Sequence, residues 1–125
     1  MSPEERQIRR RWRFYRTVAG HEPVADFIRG LWRDDRAAIL AELQTVADEG
    51  LPAARHLRGD IYEVRVDGDR QSFRVLFAQE GRGRVLLALE ALSKKTQRTP
   101  PEAIRLAERR LAEWRARAGK SELIR

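Results

Sequence analysis

Beyond a charged arm at residues 1–11, apolar side chains recur along the chain with two different periods. Trp12-Arg13-Phe14-Tyr15-Arg16-Thr17 alternates well enough to predict a strand that ends before Gly20. Pro23 then suits the first position of a helix, and Val24, Phe27, Ile28 and Leu31 follow at helical spacing. A second helix begins near Asp34 or Asp35, places Ile39, Leu40, Leu43, Val46 and Ala47 on one face, and stops at Gly50 with Pro52 just beyond. From Ile61 the period drops to two. Ile61–Val66, Ser72–Gln79 and Arg84–Leu92 read as strands joined by a turn at Asp67-Gly68 and a loop Glu80-Gly81-Arg82-Gly83, and connections this short imply an antiparallel meander. Thr99-Pro100-Pro101-Glu102 has the capping-box pattern ahead of a stripe of Ile104, Ala107, Leu111 and Trp114. Gly119 is expected to end that helix, leaving residues 120–125 as a tail. The order β-α-α-β-β-β-α predicts a single α+β domain over residues 12–119, an antiparallel sheet packed by an N-terminal α-hairpin and a C-terminal helix.

Alternation within the strands assigns side chains to faces. Tyr62, Val64 and Val66 sit opposite Phe73, Val75 and Phe77 on a core face, leaving Ile61, Glu63, Arg65, Ser72, Arg74 and Leu76 on the other. In the third strand Val85, Leu87, Leu89 and Ala91 form the unbroken apolar set and are expected to face the same core. Leu86, Ala88, Glu90 and Leu92 then fall on the second face, a register that needs an odd loop or a bulge at Gly81 or Gly83. Glu90 would thereby join Arg65 and Arg74.

Composition narrows the chemistry. A chain of 125 residues has core enough for one domain, and the absence of cysteine removes disulfides, thiolate metal sites and cysteine nucleophiles together. Two histidines make a protein-only metal centre an unpromising reading, and no cofactor is expected. The formal net charge of +7 is unevenly spread: residues 1–16 carry +4, residues 17–60 carry −3 and residues 61–125 carry +6. One positive face is the implication, suited to a polyanion. Only three of the 26 basic residues are lysines, Lys94, Lys95 and Lys120. No segment approaches the roughly 18 apolar residues of a membrane span, and MSPEERQIRRR lacks the apolar core of a signal peptide, so a cytoplasmic protein is expected. Walker loops, metal-binding histidine pairs, Gly-x-Ser-x-Gly elbows and helix-turn-helix signatures are absent.

The informative stretches are Leu57, then Tyr62-Glu63-Val64-Arg65, then Phe73-Arg74-Val75-Leu76-Phe77, then Lys94-Lys95-Thr96-Gln97-Arg98-Thr99-Pro100. They resemble the RelE/ParE superfamily of bacterial toxins, in particular its HigB-like, phage-related branch. The branch pattern is a leucine, Tyr-Glu-Leu-Arg, Tyr-Arg-Val-Leu-Tyr, and an apolar strand ending in Phe-x-Lys-Lys-Thr-x-Lys-Thr-Pro before a helix. Gly20-His21-Glu22-Pro23-Val24, followed by Phe27 and Leu31, is similar to the branch's first helix. The resemblance covers about residues 12–114. Where the branch often has His-Gly-Phe before the lysines, this chain has Glu90-Ala91-Leu92, so a role for that histidine does not carry over.

The resemblance implies a RelE-like fold and the toxin of a type II toxin–antitoxin pair, which enters the ribosome and cuts mRNA until a helix-turn-helix antitoxin neutralises it. Elementary chemistry agrees in kind. RNA can be cleaved without metal when its own 2′-hydroxyl attacks the adjacent phosphate, so a protein need only align the groups, move two protons and stabilise the dianionic transition state. Arg65 and Arg74 suit the last task. Proton transfer is left to Lys94, Lys95, Glu90, His56, or the mRNA and ribosome themselves, because arginine is too basic to serve. Arg70, Arg98 and His56 are further candidates for RNA contact. Against these stand plainer roles: Arg65 and Arg74 paired with Glu63 or Glu90 on a solvated sheet, the lysines as loop charges, and Trp12, Trp32 and Trp114 as core or interface anchors. Two other functions are compatible with the same features, a non-enzymatic ParE-like inhibitor of DNA gyrase and a non-catalytic RNA-binding module.

Overall fold

The computed structural model describes residues 9–94 and 98–124, with the side chains of Lys94 and residues 120–124 outside that description. Its elements are β1 (Arg11–Phe14), α1 (Pro23–Arg29), α2 (Arg33–Glu49), a 3₁₀ turn (Leu51–Ala53), β2 (Arg55–Arg58), β3 (Ile61–Asp67), β4 (Ser72–Glu80), β5 (Val85–Lys94) and α3 (Pro101–Ile124). The sheet runs β1-β5-β4-β3-β2, with β1 parallel to β5 and the other neighbours antiparallel. The α+β class and the helical hairpin are as the sequence predicts.

The make-up of the sheet departs from that reading in two ways. Strand β2 is additional: Arg-His-Leu-Arg carries one apolar residue in four, too little alternation to register as a strand, and it forms only because the β3 edge is available. The parallel pairing of β1 with β5 likewise joins segments some seventy residues apart.

Helices cover both faces of the sheet. On one face α1 and α2 contribute Val24, Ile28, Ile39, Leu43 and Val46 against Val64, Val66, Phe73, Val75 and Phe77. Phe77 sits at the centre of this core, edge-on to Trp12 at 5.0 Å between ring centroids and 5.9 Å from Tyr62. The Trp12 indole N–H donates to the carbonyl of Leu43 at 2.7 Å, tying β1 to α2. Arg10, from the arm preceding β1, donates to the carbonyl of Ala47 at 3.2 Å, where a cation complements the negative end of α2. A methyl group at Gly50 would lie 2.8 Å from the Arg10 guanidinium, and the residue's φ of +84° already favours glycine.

The second face corrects the expected register of β5. Pairing runs from Leu76↔Glu90 directly to Phe77↔Ala88, so Leu89 is the extra residue of a bulge inside the strand. Leu86, Ala88 and Ala91 therefore face the helical hairpin, while Leu87 and Leu89 face α3 with Leu76 and Ala78. A strand covered on both faces is apolar on both, and alternation cannot then say which set points where. Gly81, Arg82 and Gly83, all at positive φ, close the β4–β5 turn without shifting the register.

The last helix also runs longer than expected, through Gly119 to Ile124. Gly119 has an ordinary helical φ sign, so it interrupts nothing and acts as an interior glycine rather than a stop. Few apolar residues anchor α3, chiefly Ala107 and Leu111, and polar ties supply the rest. Arg58 of β2 forms a two-point pair with Glu108, Arg115 bridges Glu80 at 2.8 Å and Asp60 at 3.0 Å, and the Tyr15 hydroxyl donates to Glu113 at 2.8 Å. The guanidinium groups of Arg110 and Arg117 lie 5.4 and 5.5 Å from the centroid of the Tyr15 ring.

Two measurements check this account. Phe77→Ala should lower the unfolding free energy by about 3–5 kcal/mol in urea, the cost of emptying a fully buried aromatic site. The hydrogen bond from Arg58 holds the Glu108 carboxyl below its usual range, against a smaller opposing effect of burial. The pair thus stabilises the fold above the unfolded glutamate pKa of about 4.3 and ceases to do so as pH falls through the lower folded value. Glu108→Gln should unfold more easily than wild type at pH 7 and indistinguishably at pH 2.

Candidate active site

Strand register alone puts Arg65 of β3 directly opposite Arg74 of β4, an arrangement that repels unless a counter-charge is close. Glu63, two residues before Arg65 and on the same face, supplies it. Its carboxylate is 1% exposed and accepts from Arg65 Nε at 2.6 Å. The other carboxylate oxygen accepts from the hydroxyl of Thr99, and the same hydroxyl accepts from Arg74 Nη1 at 3.1 Å. Arg74 is itself 2% exposed. Burial, then the charge of Arg65, lowers its pKa; Glu63 acts in the opposite direction and Arg55 adds a further lowering.

In front of this buried chain lies an open cleft of about 340 Å³, lined by Arg55, Leu57, Arg65, Arg98, Thr99 and Ile104. Strand β2 places Arg55 opposite Glu63, and the segment leading into α3 brings Arg98 to the rim. Among the described residues, three arginines thus border one concavity, with Arg74 behind them and a single buried carboxylate among them. Such a field suits a phosphodiester, and arginine forks can hold its oxygens in pairs.

The sequence candidates divide between this place and others. Arg65, Arg74 and Arg98 are brought together here. Glu90 shares the face, paired in register with Leu76, but its carboxylate accepts from its neighbour's backbone N–H at 3.0 Å and from Arg110 at 3.3 Å instead of meeting Arg65 or Arg74. His56 pairs with Tyr62 and lies on the opposite face, its ring tilted against that of Tyr62 at 4.8 Å between centroids, with Nε2 2.8 Å from the carbonyl of Gly59. Arg70 lines a separate cleft with Trp32, Arg33, Asp34, Asp35 and Asp69. Lys94 closes β5 with its backbone paired to Ser72, its side chain outside the described residues, as is all of Lys95. Among the described residues no three His, Asp or Glu side chains gather as a metal site.

Arg55, Glu63 and Thr99 are functional candidates that sequence reasoning passed over. Arg55 was hidden by the unrecognised strand β2. Thr99 reads as a helix cap, yet its hydroxyl donates to Glu63 and accepts from Arg74, and α3 begins two residues later at Pro101. Trp12 is a core anchor, as its local pattern suggests, whereas Trp32 is largely exposed.

Residues 26–112 match the family described as phage-derived protein Gp49-like (DUF891). Two curated relatives from Mycobacterium tuberculosis, strains CDC 1551 / Oshkosh and ATCC 25618 / H37Rv, are both named probable endoribonuclease HigB1. Each is 32% identical over 128 residues, an alignment spanning 99% of this chain and 100% of the relative.

Burial separates two kinds of arginine in this site. Arg74→Ala should cost about 2–4 kcal/mol in chemical denaturation, because it strips a donor from a buried polar chain that holds a carboxylate. Arg98→Ala, on the exposed rim, should change stability by no more than about 0.5 kcal/mol.

Proposed function

The chain belongs to the phage-derived Gp49-like family, a RelE/HigB-type family of toxins, and on that premise we propose that it is an endoribonuclease that cuts mRNA on the ribosome and is held in check by a helix-turn-helix antitoxin. The observation that carries this reading is the cleft bordered by Arg55, Arg65 and Arg98 in front of the buried Arg74. The two relatives named probable endoribonuclease support the same chemistry.

In this mechanism Arg55, Arg65 and Arg98 hold the scissile phosphate and the dianionic transition state, and the fixed charge of Arg74 reinforces them from behind. The 2′-hydroxyl attacks the phosphorus, the P–O5′ bond breaks, and the products are a 2′,3′-cyclic phosphate and a 5′-hydroxyl. One proton leaves the 2′-oxygen and one reaches the 5′-oxygen. Glu90 is engaged by Arg110 and His56 faces away, so those proton transfers fall to Lys94, Lys95 or groups of the ribosome and message. No metal ion is required by this route. The ribosome supplies the aligned message, and the site of action is cytoplasmic.

Expression of the protein should arrest translation and leave cuts inside ribosome-bound messages, with cleavage unaffected by EDTA beyond its effect on ribosome integrity. Arg55→Ala combined with Arg98→Ala should slow cleavage by at least ~10-fold while the far-ultraviolet circular dichroism is unchanged, since each donor to a developing oxyanion contributes about 10²–10³ in favourable cases. Inhibition of gyrase supercoiling with intact messages would replace this reading by the ParE-like one. Salt-sensitive RNA binding without cleavage or growth arrest would reduce it to a binding module.

A further inference from the structure

Among the described residues, Glu63, Arg74 and Thr99 are the buried polar and charged ones, and all three belong to one hydrogen-bonded chain. Enclosing a carboxylate, a guanidinium and a hydroxyl in this way costs free energy that well-packed apolar residues would not. Its ends explain what the arrangement achieves. One end is Arg65, on the sheet wall of the cleft; Thr99, near the other, adjoins Arg98 on the opposite wall. The two walls are separated by more than thirty residues of sequence and come from a strand and from the segment entering α3.

We propose that Thr99 and Glu63 are positioning residues: the chain Arg65–Glu63–Thr99–Arg74 sets where the Arg65 guanidinium stands and locks the Arg98 segment to the sheet at the distance the cleft requires. A threonine hydroxyl has one proton to donate and lone pairs to accept with. Donating to Glu63 turns a lone pair toward Arg74, so a single oxygen joins the carboxylate to the second arginine. Valine has the same shape and can do neither; serine can do both. The bidentate geometry of Glu63 completes the logic, since one oxygen orients Arg65 while the other receives Thr99. Neither residue need touch RNA. The description of the site as an RNA-cleaving one is assumed only for the kinetic part of the test below.

The test uses the full-length protein with ¹⁵N-labelled arginine and three variants, Thr99→Val, Thr99→Ser and Glu63→Gln. In wild type the Arg65 Nε–H, assigned by its loss in Arg65→Lys, should exchange with water at least ~10-fold more slowly than an exposed arginine, as a hydrogen bond to a buried carboxylate dictates. Thr99→Val and Glu63→Gln should speed that exchange by at least ~5-fold, and Thr99→Ser should leave it within about 2-fold of wild type. In ribosome-dependent cleavage, Thr99→Val should lower kcat by at least ~10-fold with KM within about 3-fold, the signature of lost alignment, and Thr99→Ser should restore kcat. Glu63→Gln keeps the packing volume and so reads the same bond should Thr99→Val fold poorly. Equal exchange in wild type, Thr99→Val and Glu63→Gln overturns the proposal whatever the activity, as does a Thr99→Ser variant as impaired as Thr99→Val. A wild-type protein that shows the exchange pattern but cuts no RNA overturns the reading of the cleft and leaves the positioning chain standing.

Discussion

A carboxylate enclosed between a sheet and a helix must be met by donors on every side, and Glu63 imposes that demand on its whole neighbourhood. Arg65 answers it from the same strand and Thr99 from the segment that leads into α3, with Arg74 joined through the threonine. The requirement therefore reaches across β3, β4 and the last helix at once. It also makes the Arg65–Arg74 opposition tolerable, since two guanidinium groups directly across a ladder repel without an anion between them.

The face on which this happens is divided in two. Toward β1 and β5 it is a dry core, where Leu76, Ala78, Leu87 and Leu89 meet Ala107 and Leu111. Toward β2 and the ends of β3 and β4 it is polar, with Arg55, Glu63, Arg65 and Arg74. The α3 helix spans the boundary, and its apolar contact is small enough that arginine pairs, to Glu80, Asp60 and Glu90, carry much of its attachment. Several arginines of α3 thus serve to seat the helix on the sheet. Just before that helix, Arg98 borders the cleft together with Arg55 and Arg65 of the sheet.

The bulge at Leu89 links these two halves. By placing two consecutive residues against Leu76, it keeps Leu89 in the dry core and still turns Glu90 toward the α3 side, where Arg110 meets it and also donates to the carbonyl of Leu89 at 2.7 Å. The bulge, the ion pair and the helix position are one arrangement. The irregular strand and the seating of the helix that bounds the cleft therefore depend on each other.

Local physical chemistry determined much of this protein in advance. Periodicity placed the two helices of the hairpin and four of the five strands, and cross-strand alternation put Arg65 and Arg74 on one face, because side-chain direction in a short antiparallel pair follows from residue parity alone. The motifs around Tyr62–Arg65, Phe73–Phe77 and Lys94–Pro100 carried the family. Tertiary structure decided the rest. The edge strand β2, and with it Arg55, exists only because β3 offers hydrogen-bonding groups to a segment with no strand signal of its own. The faces of β5 depended on a bulge that a doubly buried, uniformly apolar sequence cannot announce. The partners of His56, Glu90 and Thr99 were settled by which surfaces met, and a hydroxyl that reads locally as a helix cap took its place between Glu63 and Arg74 because burial leaves a carboxylate no water to turn to.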